Sequence, residues 1–441
     1  MKRTPRNSLA EIDVIIHSLS HDGRGITTIN GKTTFVHGAM AGETVKCKIT
    51  RQHRRYNEGI ATEIRIAAAE RVTAPCLHFG VCGGCSMQHM SMTSQVQFKQ
   101  QTLLEQLKHF GKVEPENVLP PITGEAWGYR RKARLGVRYV IKKNKLLVGF
   151  REKFSNYLAD IQQCLVLHPS IGTRITALAE LVTNLSQYQH IAQIEVAVGD
   201  NAAALVFRHL TPLPEADRIK LSEFGKSTGL HIYLQPSPPE PINKLWPENN
   251  NERLTYALSD YNLTIQFHPL DFTQVNSEIN LFMIKQALQL LAPQSEDTIL
   301  DLFCGLGNFT LPIARYAQQV IGIEGSDTMV KRAEENAQYN QITNAKFYAA
   351  NLMEPPEQAP WMQRQYDKIL LDPPRSGAKE IIVHFSKFSA KRIVYISCNP
   401  ATLARDAGEL TYTHGYKLKQ AGVINMFPHT SHIEAIALFE K

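Results

Sequence analysis

Three short stretches hold residues whose types and spacing could do chemistry. Cys398 lies in Tyr395-Ile396-Ser397-Cys398-Asn399-Pro400. A glycine loop, Asp301-Leu302-Phe303-Cys304-Gly305-Leu306-Gly307-Asn308, precedes it, and Asp372-Pro373-Pro374-Arg375 stands between the two. Such a loop after a strand brings backbone close to a nucleoside-type cofactor. A cysteine at the carboxyl end of a parallel strand faces the same crevice and can act as a nucleophile. Together they point to transfer of a methyl group onto a carbon that must first be activated. The plain alternative for Cys398 is a small buried hydrophobe; its place beside the cofactor motifs favours catalysis. Cys304 sits inside the cofactor loop and reads as packing.

These residues need a parallel sheet to position them. From about residue 266 strands and helices alternate, the mark of a doubly wound α/β sheet. Thr298-Ile299-Leu300 leads into the glycine loop. A helix follows through Phe309-Thr310-Leu311-Pro312-Ile313-Ala314. The second strand, Val320-Ile321-Gly322-Ile323-Glu324, ends in an acid about 20 residues beyond the first glycine, which places Glu324 on ribose hydroxyls. NAD is disfavoured because Thr310 stands at the third glycine position. The strand-end Asp301 instead resembles the first motif of S-adenosylmethionine (SAM) methyltransferases, where no pyrophosphate needs a cradle. Asn351, after Lys346-Phe347-Tyr348-Ala349-Ala350, is expected near the adenine. Amino-methyltransferases carry an aromatic after the two prolines to stack the target base. Arg375 stands there instead and argues against methylation of an amino nitrogen.

A second cysteine constellation lies upstream. Cys76-Leu77-His78-Phe79-Gly80-Val81-Cys82-Gly83-Gly84-Cys85 has the spacing C-x5-C-x2-C, and Cys164 follows far downstream. Zinc knuckles usually come as two matched CxxC pairs. Three thiols crowded on one glycine-flexed loop resemble iron–sulfur ligation, with glycines letting backbone pass close to the sulfurs. Unrelated buried cysteines remain the alternative, most of all for Cys164. The radical-enzyme spacing, C-x3-C-x2-C, is absent.

The first 65 residues or so alternate as short strands. Asn30-Gly31 marks a hairpin, and about five strands suit a small OB-like barrel. The tract Arg51-Gln52-His53-Arg54-Arg55-Tyr56 mixes cations with an aromatic, as phosphate contact plus base stacking requires. The middle of the chain reads as mixed α/β. An amphipathic helix is expected over residues 97–110. Tyr129 to Tyr139 reads as a strand with a basic face, and Lys142-Lys143-Asn144-Lys145 as a basic hairpin tip. With Trp127, Tyr129 and Tyr139 these cations form a candidate RNA groove, weighed against a charged outer face. Residues 230–251, rich in proline and asparagine, are expected to hold a loop.

The 441 residues suggest two or three domains, and 43% hydrophobic content suffices for their cores. Net charge is +7, a basic excess that favours a polyanionic partner. No apolar run of membrane-spanning length occurs. Met1-Lys2-Arg3-Thr4-Pro5-Arg6 is basic, but no apolar segment of signal-peptide length follows. A cytoplasmic location is therefore expected, where seven cysteines speak for metal or catalytic roles rather than disulfides.

With these motifs the chain resembles the RNA 5-methyluridine methyltransferases over nearly its whole length, in the branch acting on 23S rRNA. The resemblance implies three regions: a TRAM barrel over 1–68, a central domain with the cluster loop over 69–265, and a Rossmann-like SAM domain over 266–441. It implies that Cys76, Cys82, Cys85 and Cys164 hold a [4Fe-4S] cluster. Gln274, Phe303, Asn308, Glu324, Asn351 and Asp372 would line the SAM site. Cys398 would be the nucleophile and Glu434 the general base, acting on a flipped or locally single-stranded uridine of 23S rRNA. Neither a membrane nor an obligate protein partner is implied. The site is expected to favour the Cys398 thiolate, because the ordinary thiol is barely ionised at neutral pH. The rivals are methylation of another rRNA or tRNA uridine, RNA cytosine-5 methylation, and an RNA-binding iron–sulfur sensor on a vestigial methyltransferase fold. The cytosine enzymes carry a further cysteine at the acidic-proline motif, which Asp372-Pro373-Pro374-Arg375 lacks.

Overall fold

The computed structural model describes residues 11–237, 242–248 and 253–441. The chain divides into two compact units: residues 1–99 with 427–432, and residues 100–426 with 433–441. The basic start of the chain, Met1 to Arg6, lies outside the described residues.

The first unit opens with β1 (Glu11–Ile15), β2 (Ser18–Leu19), β3 (Gly25–Ile29), β4 (Lys32–His37), β5 (Thr44–Gln52) and β6 (Tyr56–Ile66). Their order across the sheet is β1-β5-β6-β4-β3-β2. β1 and β2 are two halves of one bent strand, separated only by Ile16 and His17. One half forms one edge of the sheet and the other half the opposite edge, so the sheet curls back on itself around Ile16, Ile29, Val36, Val45, Cys47 and Ile49. Curling removes the free edges that a small open sheet would expose. Asn30 and Gly31, at φ 51° and 74°, make the expected tight turn between β3 and β4. The tract at 51–56 forms the β5–β6 turn, with Arg51, Arg54 and Arg55 exposed. His53 stacks on Tyr56 at 4.2 Å between ring centres.

The expected helix begins earlier and ends differently. α1 spans Met92–Gln106 and closes in a π turn, Leu107–Gly111. Leu103, Leu107 and Val113 then pack into the core of the second unit. β7 (Asn117–Val118) pairs parallel with Gln420 and Ala421. Residues well before position 266 thus share the core and the sheet of the C-terminal region, an arrangement with no local sequence signal.

One sheet of the second unit contains β8 (Lys132–Val140), β9 (Lys145–Gly149), β10 (Ile191–Val198), β11 (Ala203–His209), β12 (His231–Pro236) and β13 (Asn243–Trp246). The last two strands fall inside the stretch 230–251 that was expected to hold a loop, and the residues between them link the two. Ile232 and Leu245 are buried, and the proline-rich residues between the strands fall partly outside the described ones. The basic face of β8 is real but largely paired. Arg134 bonds Glu195 at 2.6 Å and Arg131 meets Asp200. Tyr129 is 7% exposed and belongs to the core, not to an RNA groove.

β14 (Leu254–Leu258) and β15 (Leu263–Phe267) form a hairpin. The other large sheet follows, with β16 (Thr298–Leu302), β17 (Gln319–Glu324), β18 (Ala345–Ala349), β19 (Lys368–Leu371), β20 (Arg392–Ser397), β21 (Lys417–Ile424) and β22 (Glu434–Glu440). Its order is β18-β17-β16-β19-β20-β22-β21-β7. The strands β16 to β20 are mutually parallel, and β22 runs antiparallel to β20 and β21. Continuous apolar runs such as Ile393-Val394-Tyr395-Ile396 are fully buried, as strands covered on both faces require. Among the described residues no helix is long and apolar enough to cross a membrane.

Candidate active site

The parallel register lines up four strand ends. Leu302 of β16 lies opposite Ile323 of β17 and Leu371 of β19, and Leu371 lies opposite Tyr395 of β20. The strand order reverses between β16 and β19, and a crevice opens at such a point beyond the carboxyl ends. A cavity of about 830 Å³ there is lined by Gln274, Phe303, Asn308, Glu324, Asn351, Asp372, Cys398 and Glu434. All eight residues singled out as catalytic or cofactor-binding border this one space within the second unit.

The glycine loop is shaped by positive φ angles. Gly307 sits at φ 89°, where a Cβ would also meet Leu311 at 3.1 Å. Phe303 adopts φ 65° despite its side chain, a strained conformation of the kind that clusters at ligand sites. Thr310, at the place of a third glycine, is fully buried and bonds the Asp301 carboxylate. Burial pushes Asp301 up to about 7. Asp301 therefore braces the loop from beneath and does not line the cavity. Cys304 is buried and packs against Gly322, where a Cβ would lie 2.9 Å from its sulfur.

Glu324 accepts hydrogen bonds from the N–H groups of Gly305 and Ser326, each at 3.1 Å. They orient its carboxylate at the end of β17. Asn351 accepts from the Met353 N–H at 3.0 Å. Asp372 is half-buried, and its burial holds the carboxyl at about 7. Asn308 is held by two residues that sequence reading missed. The Tyr256 hydroxyl donates to Asn308 Oδ1 at 2.9 Å, and Asn280 exchanges amide hydrogen bonds with it at 2.9 and 3.0 Å. Asn280 is 3% exposed on the buried face of the helix Ser277–Leu291. A polar residue within an apolar stripe was the signal available for it; nothing local marks Tyr256.

Cys398 follows the last residue of β20, and Glu434 opens β22. Ser397 lies opposite Ala435, so the antiparallel ladder brings Glu434 alongside Cys398. Asn399 caps the helix Pro400–Tyr412, accepting from the Ala401 N–H at 3.1 Å, and its amide donates to the Arg375 carbonyl at 3.0 Å. A helix start favours an anion, yet burial, then the charges of Glu434 and Asp372, outweigh Arg375 and push the thiol up to about 11. Burial and these charges thus work against the expected thiolate in the free site.

The cysteines of the upstream constellation are divided. Cys76, Cys82 and Cys85 belong to the first unit and Cys164 to the second. The loop is wound from tight turns: Phe79 N–H donates to the Cys76 carbonyl at 3.0 Å, and Cys82 N–H to the His78 carbonyl at 2.9 Å. Gly80 supplies φ 90°. The Gly84 N–H points at Cys82 Sγ, 3.4 Å away, the kind of bond that tunes cluster sulfurs. In this the loop fits an iron–sulfur cluster. Among the described residues no three His, Cys, Asp or Glu side chains are grouped as a ready metal site.

Known proteins share this architecture. The family model for tRNA (Uracil-5-)-methyltransferase matches residues 243–441, and that for the TRAM domain matches residues 6–62. The 23S rRNA (uracil(1939)-C(5))-methyltransferase RlmD of Hahella chejuensis is 54% identical over 100% of this chain and 99% of its own. The RlmD of Alkalilimnicola ehrlichii is 49% identical over 100% and 98%. The chain belongs to the RNA (uracil-5)-methyltransferase family. Like the family, it is a SAM-dependent methyltransferase. The curled sheet at residues 11–66 is its TRAM domain. The fold also matches the crystal structure of Pyrococcus abyssi tRNA (uracil-54, C5)-methyltransferase in complex with S-adenosyl-L-homocysteine. That match has a TM-score of 0.73 and 22% identity, and covers 97% of this chain and 100% of the other.

Proposed function

We propose that this chain methylates C5 of a uridine in 23S rRNA, uridine 1939 as in the names of its relatives, through a covalent bond between Cys398 and uracil C6. The observation that carries the reading is the common cavity: Cys398 and Glu434 border the same space as the glycine loop. The TRAM match and the exposed arginines of the β5–β6 turn support an RNA substrate.

Uracil C5 is a poor nucleophile. Addition of the Cys398 sulfur to C6 would make C5 enolate-like. Bound SAM would supply an electrophilic methyl group, held by Gln274, Phe303, Asn308, Glu324, Asn351 and Asp372. Burial favours the thiol, so the S–H proton would pass to solvent as the C6–S bond forms, and the thiolate expelled at the end would take a proton back from solvent. After methyl transfer, Glu434 would take the proton from C5. The C5–H electrons would then restore the C5–C6 double bond and expel Cys398 as a thiolate. The uracil must be out of its stack to be reached from both faces.

Cys76, Cys82, Cys85 and Cys164 would hold a [4Fe-4S] cluster. With every iron ligated by protein sulfur, such a cluster offers no open position to substrate. An rRNA substrate agrees with a cytoplasmic location.

The test uses unmodified 23S rRNA carrying 5-fluorouridine. The wild type should form an adduct that survives denaturation, because fluorine does not leave as a proton does. Absence of any adduct while ordinary RNA is methylated would overturn the covalent route.

A further inference from the structure

A short turn in the second unit shows two aromatic rings to solvent. Residues 150–159 leave β9 and double back, with Arg151 bridging Leu158. The Glu152 N–H donates to the Tyr157 carbonyl at 2.8 Å, and the Ala159 N–H to the Phe150 carbonyl at 2.9 Å. Inside the turn the Ser155 hydroxyl donates to Glu152 Oε2 at 2.6 Å and accepts from the Tyr157 N–H at 3.0 Å. The turn is seated on two strand glycines. At Gly136 a Cβ would lie 2.7 Å from Leu158 Cδ2, and at Gly149 one would lie 2.8 Å from Ile161 Cδ1. Glycine inside a strand marks such a close approach.

On this frame Phe154 is 56% exposed and Tyr157 69%. Rings on an ordered backbone offer a large contact area at little entropic cost. Cations accompany them. Arg151 is exposed, and Lys153 Nζ stands 5.7 Å from the centre of the Phe154 ring. The one carboxylate of the turn, Glu152, is engaged by Ser155. Protein-docking patches are depleted in lysine at their core. Single-stranded nucleic acid, in contrast, is held by rings for its bases and cations for its phosphates.

The turn is rooted beside the wall of the cavity. At its base the Arg130 guanidinium stands 5.7 Å from the Phe150 ring centre. Arg130 bridges Asn276, two residues after Gln274 of the cavity lining. Lys132 Nζ donates to the Pro269 carbonyl at 2.5 Å, and the lining begins again at the next residue, Leu270. All these residues belong to the second unit.

We infer that Phe154 and Tyr157 form a stacking platform for unpaired bases that flank the reacting uridine, with Arg151 and Lys153 on their phosphates. This rests on the reading of the substrate as 23S rRNA. A base drawn out of its stack leaves its neighbours without a partner face, and an exposed ring replaces that face whatever the base.

The experiment uses the full-length protein and an unmodified 23S rRNA fragment that carries the target uridine, and measures RNA affinity together with kcat and KM for methylation. Phe154→Ala and Tyr157→Ala should each weaken RNA binding by about fivefold to 100-fold, the loss of one stacked base. KM should rise to match, while kcat at saturating RNA stays within about twofold of wild type. Phe154→Tyr should bind like wild type and Phe154→Leu should not, because stacking needs a ring and not merely an apolar surface. Arg151→Gln should reduce the slope of log affinity against log salt by about one. Wild-type RNA affinity in both alanine variants would overturn the inference, as would Phe154→Leu binding as well as Phe154→Tyr. Alanine variants that bind RNA normally but alter the oligomeric state would also overturn it and assign the patch to a second copy of the chain. If the wild type methylates the fragment and the alanine variants bind it normally, only the platform fails. If the wild type does not methylate it, the reading of the substrate fails, and the inference with it.

Discussion

Glu434 opens the strand beside the one that Cys398 follows, and after burial its carboxylate is the largest influence pushing the Cys398 thiol up, to about 11. Burial and that carboxylate both oppose ionisation of the thiol.

Alkylation of the free protein tests that relationship. A group whose pKa is raised ionises only at higher pH, so the rate of Cys398 modification by iodoacetamide should still be climbing toward pH of about 11. Removing the negative charge in Glu434→Gln should move the midpoint downward. A variant midpoint at or above that of wild type would show that the carboxylate does not act on the thiol.

Cys398→Ala should abolish methylation while leaving SAM binding within about twofold, because the sulfur acts on uracil and not on the cofactor. Calorimetry with SAM and a methylation assay on unmodified 23S rRNA would read the two effects separately. Retained activity would remove Cys398 from the mechanism.

The hold on Asn308 gives a third expectation. Tyr256→Phe removes one hydrogen bond to Asn308 Oδ1 and should cost about 0.5–1.5 kcal/mol of SAM affinity. Asn280→Ala should cost more, since it strips two bonds and leaves the half-buried Asn308 amide short of partners. Unchanged affinity in Asn280→Ala would separate Asn308 from cofactor binding.

Protein purified without oxygen should be brown and carry about four irons per chain. Cys85→Ser should lose iron and melt at lower temperature, with little change in SAM affinity, because the cavity-lining residues lie after the cysteine loop in the chain. One zinc and no iron in the wild type would replace the cluster by a structural zinc site.

What the sequence by itself determined was whatever depends on neighbours along the chain. The Asn30-Gly31 turn, the strand–loop–helix around Gly305 and Gly307, the acid at the end of β17, and Cys398 at the end of β20 were all legible. Each follows from local backbone chemistry, and parallel strands of similar length carry their ends to one edge. Tertiary structure decided what depends on contacts between distant residues. It added β7 to the sheet of the C-terminal region and paired β12 with β13 on either side of the proline-rich connection. It put Tyr129 in the core, where the alternation of β8 does not reach. It joined Tyr256 and Asn280 to Asn308. The protonation of Cys398 was of the same kind. A lone thiol has one ordinary pKa, and only burial beside Glu434 and Asp372 pushes it upward.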